Sequence, residues 1–186
     1  MPLYFVAFLV KSGRAVVFPE YKGTFERFLP KWPDRGTNSY RDVIIEDAKD
    51  LRRSIDYFET RPEFDHERLA YYGFSWGALN GSIFLAVENR FKVAVLTSGG
   101  LSPSKVLPEI NPINYAPHVT IPVLMINGRY DFVLPLETCQ TPLFSLLGSP
   151  PSEKRHVILE SGHGLPLTPW FKETLDWLDH YLGAVN

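Results

Sequence analysis

Cysteine is nearly missing from this chain. Cys139 is the only one, so no disulfide can form within the chain and no cysteine-rich metal knuckle is available. Long hydrophobic runs are missing too. The longest, Leu3 to Val10, stops at Lys11 after eight residues, against the roughly 20 needed for a membrane-spanning helix. It has neither the basic start nor the small-residue cleavage site of a secretory signal. Charge of one sign is not in excess: 19 Lys and Arg against 21 Asp and Glu leave a net charge of −2. That balance gives no footing for nucleic-acid or polybasic membrane binding. No phosphate-cradling glycine-rich loop, internal repeat or low-complexity tract is present. Together these absences predict a cytoplasmic globular protein with neither a nucleic-acid nor a membrane partner.

What is present can build a core. Hydrophobic residues make up 45% of the 186 and aromatics 14%, too many for a disordered chain. The length predicts a single domain over residues 1–186. Five short runs read as strands: Arg14–Pro19, Arg68–Gly73, Phe91–Leu96, Ile121–Ile126 and Arg155–Leu159. Their nearly continuous apolar character is that of parallel strands covered on both faces. Ile44, Ala48, Leu51, Ile55 and Phe58 fall on one helical face, with Asp42, Glu46, Asp47, Asp50, Arg52 and Arg53 on the opposite face and its flanks. Near the C-terminus, Thr168 suits a cap with Pro169 in the first turn, an apolar stripe of Phe171, Leu175, Leu178 and Leu182, and Gly183 as the stop. The eight-residue run Leu3–Val10 is predicted helical, because only Lys11-Ser-Gly13 separates it from the next strand and a parallel neighbour needs a crossover of about a dozen residues; an antiparallel hairpin is the alternative. Such alternation predicts an α/β fold with a mostly parallel sheet of about five to six strands. The proline-rich stretch Ser102–Pro122 reads as an irregular excursion, too short for a large lid.

Chemistry is carried by Gly73-Phe74-Ser75-Trp76-Gly77, which follows a strand and precedes a helix candidate. A nucleophile on a sharp strand-to-helix turn needs this pattern. The turn holds the serine Oγ above the sheet edge, flanking glycines avoid clashes, and the next N–H points at the reacting carbonyl. Serine needs a base to take its proton and an acid to orient that base. Asp131 follows the strand Ile121–Ile126, and His163 follows Arg155–Leu159, flanked by Gly162 and Gly164. Both thus sit past the C-terminal ends of strands, where parallel α/β sheets place their sites. His66, His118, His156 and His180 show neither i, i+4 pairing nor a nearby cysteine, and read as surface or structural residues. Asn80-Gly-Ser82 matches a glycosylation sequon but lies where a buried helix is expected. Cys139 reads as a buried, inert thiol.

The chain resembles the α/β-hydrolases, closest to the dienelactone hydrolase and prolyl-oligopeptidase-type branch. The matching segments are Tyr21-Lys-Gly-Thr24, Gly73-Phe-Ser-Trp-Gly77, Asn127-Gly-Arg-Tyr-Asp131 and Ser161-Gly-His-Gly164. The resemblance implies a small α/β-hydrolase fold lacking the usual first strands, because the strand that normally precedes a segment like Leu3–Val10 is missing. It implies Ser75 as nucleophile, His163 as general base and Asp131 as its orienter, with the Trp76 N–H in the oxyanion hole. A second oxyanion donor would come from the backbone near Tyr21 or Lys22, since Phe25 stands where some peptidases of this branch use a tyrosine hydroxyl. Phe25, Phe74 and Tyr130 are candidate walls of a substrate pocket. The activity implied is a carboxylesterase on short-chain, small-molecule esters, with no cofactor and no metal. A peptidase of the prolyl-oligopeptidase type and a non-catalytic hydrolase-like module or fragment are the alternatives. The sequence leaves a homo-oligomer open.

Overall fold

The computed structural model describes residues 4–185. Leu3, where the first apolar run begins, lies outside the described residues. The rest of that run is helix α1 (Tyr4–Lys11). The other helices are α2 (Asn38–Glu59), α3 (Trp76–Val87), α4 (Thr141–Leu146) and α5 (Leu167–Leu182). Strands β1 (Ala70–Phe74), β2 (Val93–Thr97), β3 (Val123–Gly128) and β4 (Lys154–Leu159) form one parallel sheet in the order β1-β2-β3-β4. Among the described residues no helix is long and apolar enough to cross a membrane.

Side-chain alternation along the strands divides the core in two. Ala94, Leu96, Val123 and Met125 pack under α2 and α3, with Ile44, Leu51, Ile55 and Phe84. Val93, Val95, Leu124 and Ile126 face the other way, onto Phe8 and Leu9 of α1 and Trp170 and Leu178 of α5. All residues of β2 and β3 are buried, as their unbroken apolar runs require of strands covered on both sides.

The structure corrects four expectations. The sheet has four strands among the described residues, not five or six, because Arg14–Pro19 pairs with nothing. Its composition suits a strand, but among the described residues it lines a cleft shared with β1 without bonding to it. Asp47 is buried on the apolar face of α2, one turn beyond Val43 and one before Leu51, instead of on the polar side. Its Oδ1 accepts the Lys22 N–H at 3.1 Å. The cap of α5 falls at Pro166 and not Thr168; of the expected stripe Leu178 is buried and Phe171, Leu175 and Leu182 pack half-buried against the core, while Trp170, Thr174 and Trp177 take the other buried positions. Gly183 does end that helix, at φ +82°, where only glycine is unstrained. Finally, Gly77 is not demanded by crowding: a Cβ there would meet only the Tyr71 hydroxyl at 3.6 Å.

Other expectations agree with the structure. Asn80 and Ser82 are buried inside α3, so the sequon is inaccessible. Cys139 is buried beside Leu79 and Leu134. The stretch after Ser102 holds three short 3-10 turns, Pro108–Ile110, Pro112–Asn114 and Ala116–His118.

Candidate active site

Three strand ends converge on one point. β1 turns into α3 through Ser75, held at φ 50°, ψ −105°, a backbone region that non-glycine residues seldom occupy. The turn is locked on both sides: the Ser75 N–H donates to Thr97 O at 2.9 Å, and its carbonyl accepts from the Leu79 N–H at 2.8 Å. Gly73 is obligatory here, since a Cβ would stand 2.8 Å from the Gly77 carbonyl.

The loop after β3 supplies Asp131. Its Oδ1 accepts the backbone N–H groups of Val133 at 2.8 Å and Leu134 at 3.0 Å. Gln140 braces this loop from within, donating Nε2 to the carbonyls of Gly128 and Leu134. The loop after β4 supplies His163, whose carbonyl accepts from Ser98 Oγ at 2.8 Å. Ser98, at the end of β2, is itself at φ 50°. Asn127 ties the same edge together: its Nδ2 donates to Gly99 O, and its Oδ1 pairs with His156 Nε2 at 3.0 Å. Burial pushes the His156 imidazole down to about 4, so it is neutral and its Nε2 must carry the proton it donates.

The side chains of Ser75, His163 and Asp131 form one chain of hydrogen bonds. His163 Nδ1 lies 2.8 Å from Asp131 Oδ2, and His163 Nε2 lies 2.8 Å from Ser75 Oγ. Asp131 is fully buried at its side chain while the His163 side chain is 22% exposed. A carboxylate can only accept, so Nδ1 holds the proton and Nε2 presents its lone pair to the serine hydroxyl. Such an arrangement can activate an oxygen nucleophile near neutral pH.

No protein-family model and no curated protein matches the sequence. Solved structures do. A cold-adapted esterase from an Arctic intertidal metagenomic library superposes with a TM-score of 0.63 at 24% identity, covering 80% of this chain and 66% of the esterase. An acylaminoacyl peptidase from Pyrococcus horikoshii gives 0.63 at 20% identity, covering 76% of this chain and 28% of the peptidase. A Klebsiella pneumoniae protein assigned as a dienelactone hydrolase gives 0.60 at 23%, covering 74% of this chain and 62% of that protein. The chain has the α/β-hydrolase fold. It spans just under two thirds of the esterase and far less of the peptidase.

Within this α/β-hydrolase fold the remaining site candidates are placed as follows. Trp76 opens α3, so its N–H has no partner within the helix and lies one residue from Ser75. Its ring packs against Tyr21, Trp32 and Phe84. The Lys22 N–H does not serve as a second donor at Ser75, because Asp47 takes it. Tyr21 stacks on Phe84, with its carbonyl held by Thr24. Phe74 lies among Phe5, Trp170 and the His163 ring, at 4.9, 5.5 and 5.9 Å between centroids; it forms a floor under the histidine. Phe25 and Tyr130 are exposed and engage Phe18 and Glu160. Sequence reasoning missed Gly128, Ser98 and Gln140. Only Gly128 carried a signal, as the glycine of Asn127-Gly-Arg-Tyr-Asp131.

Proposed function

We propose that the protein is a serine carboxylesterase acting on short-chain esters. The observation that carries this reading is the pair of 2.8 Å hydrogen bonds linking Ser75 to His163 and His163 to Asp131. In the scheme, Ser75 Oγ attacks the ester carbonyl while His163 Nε2 takes its proton. Asp131 faces the imidazolium that forms. The carbonyl oxygen, now an oxyanion, is received by the Trp76 N–H. Collapse breaks the bond to the alkoxy oxygen, which leaves as the alcohol with the proton from His163. Water then attacks the acyl carbon, losing its proton to His163; the bond from that carbon to Ser75 Oγ breaks, Oγ takes the proton back from His163, and the acid departs. The scheme calls for no cofactor or metal. In this reading residues 1–186 act as one cytoplasmic catalytic domain.

Substrate scope follows from the donors around the oxyanion. With Lys22 bound to Asp47, Trp76 is the donor that the described residues offer most directly. Loss of one oxyanion donor typically lowers turnover by 10²–10³-fold. Esters with good leaving groups tolerate that loss; amides do not. Peptidase action is the second reading, favoured by the likeness to the acylaminoacyl peptidase. The test is hydrolysis of nitrophenyl acetate, a long-chain nitrophenyl ester and a peptide anilide on one preparation, with Ser75→Ala as blank. We expect turnover on the acetate only. Anilide turnover equal to that of the acetate would replace our reading with the peptidase. Equal rates for Ser75→Ala and the native chain would leave a non-catalytic module.

A further inference from the structure

The Asp131 loop is anchored by two backbone contacts. The Asp131 N–H donates to Gly128 O at 3.3 Å, and the Leu134 N–H donates to Asp131 Oδ1 at 3.0 Å. Gln140 reaches the residues on both sides. Its Nε2 donates to that same Gly128 carbonyl at 3.1 Å and to Leu134 O at 2.7 Å. Both hydrogens of the amide are thereby used, and one side chain closes the loop from end to end. The other half of the amide bears a cost. Gln140 is fully buried, and its Oε1 has no hydrogen-bond partner among the described residues. For stability alone the balance is close: glutamine leaves its own acceptor unpaired, whereas an apolar side chain of that size would leave Leu134 O without a donor. What glutamine adds is a grip on the two residues that contact Asp131.

Gln140 is aimed inward by the segment Leu136–Gln140, a single π-type turn that leads into α4. The Cys139 N–H and the Gln140 N–H both reach the Pro135 carbonyl, at 2.9 and 3.3 Å, so the turn is one residue wider than in an α-helix. Such turns are rare and recur at functional sites. The residue beside Gln140 faces a second loop. Cys139 O accepts the Leu101 N–H at 2.9 Å, and a Cβ on Gly100 would stand 2.9 Å from the Cys139 carbonyl carbon. That loop begins with Ser98, whose Oγ holds His163 O at 2.8 Å. Adjacent residues of one turn thus hold the loop of the acid by a side chain and the anchor of the base by backbone.

We propose that Gln140 is a positioning residue of the esterase site described above: by pinning Gly128 and Leu134 it fixes the Asp131 carboxylate against His163 Nδ1. Its kinetic consequences rest on the esterase reading. Gln140 touches neither the substrate nor the reacting atoms, and acts through Asp131 alone. Asp131 Oδ2 lies 2.8 Å from His163 Nδ1, and a drift of about 1 Å in such a site costs on the order of a hundredfold in rate. A packing role would be carried by shape, which methionine supplies as well as glutamine. A positioning role needs the two donors.

The test is Gln140→Met, which keeps the shape and removes both donors. With nitrophenyl acetate we expect a small change in Tm, a level KM, and a kcat lower by about ten- to a hundredfold. Added to Asp131→Asn, with enzyme raised to keep turnover above the Ser75→Ala blank, the same substitution should cause no further loss, because residues that act through one another are not additive. Proton NMR without substrate reads the His163–Asp131 bond itself, as a far-downfield Nδ1 proton that Asp131→Asn removes. In Gln140→Met this proton should broaden and exchange faster with water. Native kcat in Gln140→Met, or an equal fold-loss in both backgrounds, would overturn the proposal, as would a downfield proton unchanged from that of the native chain. Native turnover no faster than that of Ser75→Ala would instead fail the esterase reading, and the proton alone would then decide the positioning role. Should Gln140→Met not fold, Gln140→Asn, one methylene too short to reach both carbonyls, carries the same measurements.

Discussion

Gly128 and Gly162 touch backbone to backbone: a Cβ on Gly128 would stand 2.0 Å from the Gly162 carbonyl oxygen and 2.5 Å from that of Ser161. This contact seats the loop carrying His163 on the end of the strand that leads to Asp131. The Tyr130 N–H donates to Ser161 O at 2.9 Å and the Arg129 N–H to Leu159 O at 2.8 Å, so both loops run as a pair. The 2.8 Å bond between His163 and Asp131 depends on that approach.

Gly128→Ala is therefore expected to push the two loops apart. Backbone cannot yield as a flexible side chain can, and overpacking of this kind typically costs about 1–3 kcal/mol. A displacement near 1 Å is enough to lower turnover about a hundredfold. Thermal melts and ester turnover, measured together, check this. A variant with native Tm and native kcat would show that the glycine contact does not hold the site.

Asp131→Asn keeps the shape and changes the hydrogen-bond sense. The backbone N–H groups of Val133 and Leu134 occupy Oδ1, so an amide Nδ2 would face His163 Nδ1. The histidine must then carry its proton on Nε2 and cannot accept from Ser75. We expect kcat to fall on the order of 10⁴-fold with a small change in Tm. A loss under tenfold would show that Asp131 does not set the tautomer.

Ser98 acts through the histidine's own backbone. Its Oγ donates to His163 O at 2.8 Å from a residue strained at φ 50°. Ser98→Ala should cost about 1 kcal/mol and lower kcat several-fold while KM stays level. Ser98→Gly should relieve the strain and recover stability, yet keep the low kcat, because the hydrogen bond is still missing. Recovery of kcat in the glycine variant would assign the effect to strain alone.

Much of the site was legible because local chemistry marks it. Gly73 and Ser75 form a turn that side-chain size dictates, and Asp131 and His163 follow apolar runs whose ends are easy to find. What escaped was non-local. Arg14–Pro19 has the residues of a strand, but whether it pairs depends on a neighbour that local composition does not reveal. Thr168 has the side chain of a cap, but α5 starts two residues earlier, after Pro166, and Trp170 and Trp177 take buried positions on it. Ser98 and Gln140 serve carbonyls far away in sequence. A carboxylate on the buried face of α2 defies the rule that places charge outward, so sequence alone puts Asp47 on the polar side.

That buried carboxyl gives the protein a pH dependence of its own. Burial, and then the nearby Asp50, push Asp47 up from 3.8 to about 7, against the opposing pull of the Lys22 N–H and Arg27. Its Oδ2 is buried without a hydrogen-bond partner. The folded state thus holds this proton more tightly than the unfolded chain. Stability from it is complete below about pH 4, drains away as pH rises through about 7, and is level above that. Asp47→Asn keeps the acceptor for the Lys22 N–H and resembles the protonated acid in shape. The variant should match the native protein near pH 4 and exceed it by on the order of 1–3 kcal/mol at pH 8, less than the full shift implies because water relaxes around a buried charge. Urea unfolding at pH 4, 6 and 8 measures the difference. A gap that stays constant across the three would mean that Asp47 titrates alike in both states, and that the Lys22 bond alone governs its contribution.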